Sequence, residues 1–537
     1  MASMKLGVGW FKRDLRVFDH APLVEAAKHR QVLPLYIYEP SLIRAPDFAT
    51  QHIGFINECL TELDQALSAR GSPLLAQYGE AIAIFQRVLD TFGPFALYSH
   101  EETGNALTYE RDKRVAEWCS ANGIMWREFP SNGVVRKLSS RDAWSDLWMQ
   151  RMKPAPLAAP DFLGKPEGTL TPNGIMLPHW MGLPDNDKPL RQKGGRKQAA
   201  QLLKQFLSQR LSHYRFGMSS PLSAADLCSR LSPHIAYGSL SIRELVHKVW
   251  KTRAELNAMP AHVRPKGALE GLKSFESRLH WRCHFVQKLE SEPEIETRNM
   301  HRGFDGLREP HFNREYFERW RKAETGFPLI DACMRMLAET GWINFRMRAL
   351  LVSFSSYQLW NHWREPALHL AQEFLDYEPG IHYSQIQMQS GVTGINTLRI
   401  YNPVKQAQDQ DPDGEFVRRW LPALVNVPNE FIFEPWTMPS ALQQHTGVII
   451  GSTYPEPVVD HLAAARHARE TMWALRREPE ARDEARRVFD KHGSRNPARE
   501  GRRPSKSKPK SKSVDASSAD VAKAEASSTP QLSLGLE

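Results

Sequence analysis

The chain has 537 residues, which is too long for one compact core and predicts two or three domains of ~100–200 residues. Hydrophobic residues make up 41% and charged residues 24%, which excludes a mostly disordered chain. Lys and Arg total 70 against 61 for Asp and Glu, and the resulting net charge of +9 is compatible with a polyanionic partner. No run approaches the ~18 apolar residues of a membrane span, so we expect no membrane association.

The five cysteines are dispersed and form no CxxC spacing. This pattern argues against a disulfide framework, a zinc ribbon and a four-cysteine iron–sulfur cluster, and we expect no metal site. The first residues run straight into a strand-like segment without a signal-peptide core. The sequence therefore predicts a cytoplasmic protein.

Residues 1–135 alternate β-rich apolar runs with amphipathic segments of helical period. The runs cover residues 5–11, 32–38, 73–78, 95–100 and 124–129, and the helical segments cover residues 54–70, 80–92 and 108–122. This alternation predicts an α/β domain with a parallel, doubly wound sheet. No GxGxxG follows the first strand, although a nucleotide-like ligand could still bind at the carboxyl edge of such a sheet.

Beyond the α/β domain the composition changes three times. Residues 136–197 contain a proline-rich stretch that predicts an extended interdomain connector. Residues 198–477 read as successive amphipathic helices, which predicts an all-α domain. Residues 478–537 are charged and then of low complexity, with six positive charges between Arg502 and Lys512, so we expect a disordered basic C-terminal tail.

Five motifs occur in a fixed order along the chain. They are Trp10-Phe-Lys-Arg-Asp-Leu-Arg16, Ser229-Arg-Leu-Ser-Pro233 with Gly238-Ser-Leu-Ser241, Thr325-Gly-Phe-Pro-Leu-Ile-Asp-Ala-Cys-Met-Arg335, Arg399-Ile-Tyr-Asn-Pro403 and Asp411-Pro-Asp-Gly-Glu-Phe-Val-Arg-Arg-Trp-Leu-Pro422. Together they resemble the DNA photolyase/cryptochrome family, of which this chain would be an atypical bacterial member. The resemblance spans roughly residues 5–467.

The resemblance implies FAD in the helical domain, an antenna chromophore (folate, deazaflavin or flavin) in the α/β domain, and blue-light-driven electron transfer. The cofactor-binding candidates are Tyr214, Cys228, Ser229, Arg230, Leu231, Ser232, Arg282, Arg348, Asp376, Tyr377, Glu378 and His382. Residues 229–232 suit a pyrophosphate, although an ordinary capped helix has the same pattern. Arg348 should pair with Asp376, either beside the flavin ring or as a purely structural ion pair. Glu110 lies where relatives contact a folate.

The catalytic candidates are Trp363, His382 and Trp281. Trp363 matches the middle member of the family's row of three electron-transferring tryptophans, but Pro310 and a position near Ile386 replace the other two. Tyr383 and Trp360 could supply another route, although Trp360 also suits core packing. His382 matches the position facing flavin N5, where it could protonate the flavin or simply bond to the backbone.

Two departures from the family pattern fall where the lesion would meet the flavin. Arg278 occupies the position of a lesion-contacting glutamate, and Phe345 that of an asparagine. An arginine can only donate hydrogen bonds, whereas a carboxylate accepts them. The usual contact between the protein and a pyrimidine dimer is therefore reversed. The candidates for DNA contact are Arg278, Trp281, Arg346, Met388 and Arg399.

The chain ends with Gln531-Leu-Ser-Leu-Gly-Leu536, which resembles the peptide with which bacterial repair polymerases bind the sliding clamp. The leading interpretation is a monomeric, FAD-dependent enzyme of the deoxyribodipyrimidine photo-lyase type that repairs UV-damaged DNA by electron transfer. The alternative is a cryptochrome-like blue-light photoreceptor without repair activity. Arg278, Phe345 and the interrupted tryptophan row favour the alternative, whereas the clamp-like tail favours repair.

Overall fold

A computed structural model describes residues 5–495 of the protein. The N-terminal region contains five parallel strands in the order β3-β2-β1-β4-β5. Their bounds are β1 Leu6–Phe11, β2 Gln31–Tyr38, β3 Leu75–Tyr78, β4 Phe95–His100 and β5 Met125–Phe129. The predicted doubly wound parallel sheet is therefore confirmed.

Helices cover both faces of this sheet, so all six residues of β1 are buried. The helices are α1 Ala21–Ala26, α2 Pro40–Ile43, α3 Thr50–Ser68, α4 Ala81–Phe92 and α5 Ala106–Ala121. Val8 of β1 packs with Phe85 of α4 on one face, while Phe11 packs with Phe55 of α3 on the other. A side chain at Gly7 would collide with the backbone of Ala26, so this glycine lets α1 approach the sheet closely.

The connector begins with a helix that the sequence did not predict, α6 Trp144–Met152. Between α6 and residue 195 the regular structure is one short 3₁₀ turn, Pro178–Met181. The remaining stretch follows the α/β domain, where Val32 donates its N–H to Gly164 O at 2.7 Å and Asn57 Nδ2 donates to Met176 O at 2.8 Å. The backbone carbonyls of the extended segment thus fix it to both β2 and α3 of the α/β domain.

The second domain is helical, as predicted. Its helices are α7 Arg196–Gln205, α8 Leu211–Gly217, α9 Pro221–Leu227, α10 Ser232–Ala236, α11 Ile242–Ala258, α12 Ala268–Ser291, α13 Arg314–Arg321, α14 Pro328–Thr340, α15 Phe345–Ser353, α16 Arg364–Glu373, α17 Pro379–Ser390, α18 Pro403–Gln410, α19 Glu415–Trp420, α20 Ser440–Thr446, α21 His461–Arg477 and α22 Pro479–His492. A large core containing Trp320 and Trp363 holds α13 to α17 together. Across residues 5–495 no helix is long and apolar enough to span a membrane.

Helix α22 lies within residues 478–537, where we expected the disordered tail. Val488 and His492 are fully buried, and His492 Nε2 lies 2.7 Å from Glu292 Oε2. The charged residues of α22 occupy its outer face, so its composition resembled a solvated tail although one face packs on the domain. The prediction of disorder is wrong for residues 479–492. The basic cluster and the clamp-like peptide lie outside the described residues.

Candidate active site

Two arginine–carboxylate pairs meet at the segment that joins α16 to α17. Arg348 of α15 donates to both oxygens of Asp376, at 2.9 and 3.0 Å. Arg282 of α12 donates from Nη2 to Glu378 Oε2 at 2.6 Å. The expected pairing of Arg348 with Asp376 is present, and the bidentate geometry fixes both side chains.

Arg282 retains donors that the protein does not use. Its Nε and Nη1 atoms are buried and have no hydrogen-bond partner among the described residues. Burial favours the neutral form of Asp376, but Arg348 outweighs it and holds the pKa of Asp376 below its ordinary value. The site therefore keeps a fixed negative charge beside guanidinium donors that are free for a ligand.

The segment of residues 228–232 passes beside this charge cluster. Arg230 takes a left-handed backbone conformation with φ 58°, and its guanidinium lies 4.0 Å from the centre of the Trp342 ring. Ser229 Oγ accepts the N–H of the buried Leu231 at 3.4 Å, which is an ordinary turn contact. Ser232, at the start of α10, adds to the effect by which Arg348 lowers the pKa of Asp376. The end of this turn therefore lies beside the Arg348–Asp376 pair.

The side chains of Tyr214 and Arg278 meet in the wall of the same site. Tyr214 of α8 is buried, and burial raises the pKa of its hydroxyl to about 12. Arg278 opposes this rise through its nearby charge, and its Nη2 lies 3.5 Å from Met218 Sδ. The neighbouring Cys228 ends α9, and burial raises the pKa of its thiol to about 11, so it is a thiol at neutral pH.

His382 is bound to the backbone. Its Nε2 donates to Ala367 O at 2.9 Å, and its ring contacts Tyr377 and Tyr383 edge-on. Burial lowers the pKa of this imidazole to about 4, so it is neutral at neutral pH. Of the two roles considered from the sequence, this geometry favours the backbone-bonded histidine.

The predicted electron carrier Trp363 is fully buried at the start of α16. Its Nε1 donates to Asn299 Oδ1 at 2.7 Å, and its ring lies 6.4 Å from that of Tyr383. Tyr383 in turn has its hydroxyl 3.4 Å from that of Tyr377. Trp360 packs instead against Arg308 and His467. The aromatic neighbour that Trp363 has toward α17 is therefore Tyr383.

The predicted DNA-contacting residues include cationic groups with unused donors. Arg346 Nε and Arg399 Nη1 are buried without a partner among residues 5–495. Trp281 on α12 and Met388 on α17 are half-buried. Phe345 is 37% exposed, while the preceding Asn344 donates to the backbone of Ser219 at 2.7 Å. Phe345 thus offers an apolar surface where the family has an amide.

A cavity lies between the two domains, where the sequence allowed for a nucleotide-like ligand and the family resemblance implied an antenna chromophore, although most of the residues that line it were not predicted. It lies at the carboxyl ends of β1 and β2, the edge where such sheets bind ligands. Tyr36, Tyr38, Phe48, Tyr237 and Tyr377 provide aromatic walls, and Lys12, Arg13, Glu39, Asp47 and Arg111 provide charges. Tyr377 closes it from the helical domain by donating to Asp47 Oδ2 at 2.6 Å. Glu110 is exposed and paired with Lys113.

A cluster of Asp14, His20 and His100 in the α/β domain has the composition of a metal site. His20 Nδ1 accepts the N–H of Leu23 at 3.0 Å, so its Nε2 carries the proton and donates to Asp14 at 2.8 Å. His100 Nδ1 contacts the same carboxylate oxygen. Hydrogen bonding therefore accounts for the cluster.

Comparison with known families matches both domains. A family model described as "FAD binding domain of DNA photolyase" matches residues 275–474, and one described as "DNA photolyase" matches residues 8–141. A deoxyribodipyrimidine photo-lyase of Streptomyces griseus is 30% identical over 484 residues, which cover 86% of this chain and 98% of that protein. A cryptochrome DASH of Gloeobacter violaceus is 30% identical over 490 residues, which cover 86% of this chain and 95% of that protein.

The fold is also similar to solved structures. A bacterial class III photolyase from Agrobacterium tumefaciens has a TM-score of 0.76 at 24% identity, covering 89% of this chain and 99% of that one. An archaeal photolyase from Sulfolobus tokodaii, solved with two FAD molecules, has a TM-score of 0.68 at 25% identity, covering 87% and 99%.

The residues present fit a bound flavin. Guanidinium donors of Arg282 are buried and unpaired, and Asp376 is held as a carboxylate beside Arg348. These features lie in or beside the region that matches the FAD-binding model, and the similarity extends through both domains. The chain belongs to the DNA photolyase/cryptochrome family of FAD-binding flavoproteins.

Proposed function

We propose that this protein is a blue-light-driven DNA repair enzyme of the deoxyribodipyrimidine photo-lyase type, acting on pyrimidine lesions. The observation that carries the proposal is the buried Arg282, which is paired with Glu378 through one nitrogen and has two unpaired nitrogens. The names of the Streptomyces relative and the Agrobacterium structure support the same reaction class. When bound, FAD supplies light absorption and one-electron transfer.

The residues around the flavin position hold charge and exclude water. Arg348 and Asp376 form a rigid pair that would lie beside the flavin ring. Arg282 would donate its unpaired N–H groups to the cofactor, while Glu378 fixes its guanidinium plane. The buried Trp363 would be the electron carrier on the protein side, with Tyr383 as the adjacent aromatic carrier.

DNA binds on the side of the site where the half-buried Arg346 and Arg399 lie. These two side chains donate to backbone phosphates, which neutralises charge and fixes the register of the strand. The half-buried Trp281 and Met388 form apolar walls for a nucleotide that leaves the base stack. Arg278 donates to the lesion where the family uses a carboxylate, so the preferred lesion differs from that of the carboxylate-bearing enzymes.

Illumination of purified, reduced protein with defined oligonucleotides tests the proposal. One oligonucleotide carries a cyclobutane dimer and the other a (6-4) product, and repair is followed by chromatography of the digested strands. We expect light-dependent conversion of one substrate with multiple turnovers. Dark samples and the undamaged strand are the controls. Turnover of neither lesion by flavin-loaded protein would contradict the proposal.

The second candidate is a cryptochrome-like photoreceptor without repair activity. It is favoured by Arg278 in place of a lesion-contacting carboxylate, and by the absence of aromatic side chains at Pro310 and Ile386. Light-dependent flavin reduction without turnover of either lesion would support this candidate. Absence of flavin absorption from the purified protein would contradict both.

We also propose that the cavity between the domains holds an antenna chromophore of the folate, deazaflavin or flavin type. Its position at the carboxyl edge of the sheet and its aromatic and charged lining suit a planar heteroaromatic molecule. The Sulfolobus photolyase carries a second FAD, which is a precedent within the family. Mass spectrometry of chromophores released from purified protein tests this, and FAD as the sole chromophore would contradict it.

Gln531 to Leu536 lie outside the described residues, and we propose that they bind the bacterial sliding clamp. The glutamine anchors the peptide by hydrogen bonds and the leucines enter an apolar pocket. Calorimetry with a peptide of the last ten residues tests this, and a peptide with the glutamine and leucines changed to alanine is the control. We further propose a cytoplasmic monomer, which light scattering and cell fractionation test.

A further inference from the structure

Helix α12 carries a strip of basic side chains beside Trp281. His280, His284 and Lys288 recur every four residues, so they lie above one another on the helix. His284 and Lys288 are only 4% and 5% exposed. Three groups that can carry positive charge are therefore stacked in a largely buried strip.

Arg141, just before α6, covers this strip and adds a further cation. It is 6% exposed, and its Nη2 donates to His284 Nδ1. Its guanidinium lies 4.8 Å from the centre of the Trp144 ring, but its Nη1 is buried without a partner among the described residues. Lys288 lies over the Phe285 ring at 5.2 Å. Both cations thus rest on aromatic rings and retain unused donors.

Within residues 5–495 no carboxylate pairs with Arg141 or Lys288. Glu292, one turn beyond Lys288, already accepts from Arg302 at 2.8 Å, Lys491 at 2.9 Å and His492 at 2.7 Å. Asp142 is exposed and bonds Arg495 at 2.6 Å. Buried charges in proteins are normally compensated by an opposite charge, and here the described chain supplies none.

Because no carboxylate of the described chain compensates them, positive charges on Lys288 and Arg141 are unfavourable. Burial, together with repulsion from Arg141, lowers the pKa of Lys288 to about 7. Burial and Arg495 lower the pKa of Arg141 to about 10. His284 accepts at Nδ1, so its neutral ring carries a proton on Nε2 that can be donated.

We propose that Arg141, His284 and Lys288 form a binding site for a small oxyanion of the phosphate class. Arg141 Nη1, His284 Nε2 and Lys288 Nζ supply the N–H donors, and the bound anion supplies the missing negative charge. The phosphate comes either from free inorganic phosphate or from a mononucleotide. This site is separate from the flavin site, where Arg282 pairs with Glu378.

Thermal unfolding of the flavin-loaded full chain tests the proposal. Sodium phosphate is titrated against sodium chloride of equal ionic strength, and adenosine monophosphate is titrated in a parallel series. A ligand that binds only the folded state raises the unfolding midpoint. We expect a saturable rise of about 1–3 °C in phosphate that Arg141→Gln and Lys288→Met abolish. The exposed Lys251→Met is the matched control and should keep the rise.

A second measurement does not depend on the stability of the variants. Wild-type protein is treated with an amine-modifying reagent at pH 7.5, and modification of Lys288 and Lys251 is quantified by peptide mass spectrometry. We expect phosphate to slow modification of Lys288 several-fold and leave Lys251 unchanged. A stronger effect of adenosine monophosphate than of phosphate would assign the phosphate to a nucleotide. Equal midpoint rises in wild type and both variants, or unprotected Lys288, would overturn the site.

Discussion

Arg282 donates to Glu378 at 2.6 Å through one nitrogen, while its other two nitrogens are buried without a partner. A buried donor without an acceptor is costly, and native structures contain few of them. The arrangement is understandable when a cofactor completes the hydrogen bonds of the guanidinium. If Arg282 binds the flavin as proposed, the Arg282–Glu378 pair contributes both to folding stability and to cofactor binding.

Replacing Arg282 should separate its contribution to folding stability from its contribution to cofactor binding. Arg282→Met removes the ion-pair partner of the buried Glu378 and leaves Arg13 as a nearby cation, and we expect a loss of about 3 kcal/mol in unfolding free energy and loss of bound flavin. The double variant Arg282→Met/Glu378→Gln removes the unpaired charge, so stability should recover while flavin remains absent. Denaturant unfolding and the ratio of flavin to protein absorbance measure the two effects. Full flavin occupancy in Arg282→Met would contradict the assignment.

Asp376 should give a pH-dependent contribution to stability. Burial opposes its charge, but the pairing with Arg348 depresses the folded-state pKa below the ordinary 3.8. A depressed carboxyl pKa stabilises the fold above the ordinary value, and that stability is lost as pH falls through the folded value. Asp376→Asn should cost about 2–4 kcal/mol at pH 7, with the difference from wild type shrinking below about pH 4.

Denaturant unfolding between pH 3 and 8 measures this difference. Glu276→Gln, which breaks the more exposed pair with Arg253, is the control and should cost at most about 1 kcal/mol. A wild-type advantage over Asp376→Asn that persists unchanged at the lowest pH would exclude Asp376 as its source.

Flavin photoreduction should depend on Trp363 and Tyr383. Their ring centres are 6.4 Å apart in the buried core, and Trp363→Phe or Tyr383→Phe removes one carrier while keeping a phenyl ring at that position. We expect each to slow light-driven flavin reduction several-fold in time-resolved absorption. Trp360→Phe is the matched control, because Trp360 packs on Arg308 and His467 instead. Undiminished photoreduction in Trp363→Phe would remove its role.

Arg278 should contribute to DNA affinity through charge. Each phosphate neutralised by a protein cation contributes about 0.9 to the slope of log K against log salt concentration. Arg278→Gln should lower that slope by about this amount and weaken binding to damaged DNA. Fluorescence anisotropy at several salt concentrations measures it. Lys28→Gln, on the α/β domain and 67% exposed, should leave the slope unchanged. An unaltered slope in Arg278→Gln would place Arg278 outside the interface.

The sheet was predictable because each strand is short, apolar and followed by a helical segment. Even Pro34 inside β2 fits, since β3 pairs with β2 only from Leu35 onward. The N–H of Val32, on the same edge as position 34, bonds the connector at Gly164. A proline therefore removes no hydrogen bond between β2 and β3.

Helix α22 was not predictable from composition. Its charged residues pair along the outer face, as Arg487 does with Glu484, while Val488 packs inward. A window dominated by charge resembles a solvated tail unless its tertiary partners are known. Packing against α21 and the buried contact of His492 with Glu292 supplied the deciding interactions.

The sequence motifs predicted one part of the candidate site and not another. The family resemblance predicted the pairing of Arg348 with Asp376, which are adjacent only after α15 and α17 pack together. The signature Asp331 also proved structural, because it accepts the N–H groups of Thr325 and Gly326 and the hydroxyl of Tyr454. The sheet topology indicated a ligand at the carboxyl edge, but the side chains that line the cavity come from several distant segments, so no local pattern identifies them.

The hydrogen bond from Tyr377 to Asp47 joins the helical domain to the α/β domain, so ligand binding in one domain can affect ligand binding in the other. Tyr377 lines the interdomain cavity, and its chain neighbours Asp376 and Glu378 pair with Arg348 and Arg282 of the proposed flavin site. A cavity ligand that shifts this segment changes the affinity for flavin, and flavin changes the affinity for that ligand by the same factor. Measuring either binding constant with and without the other ligand gives the coupling free energy of the two sites.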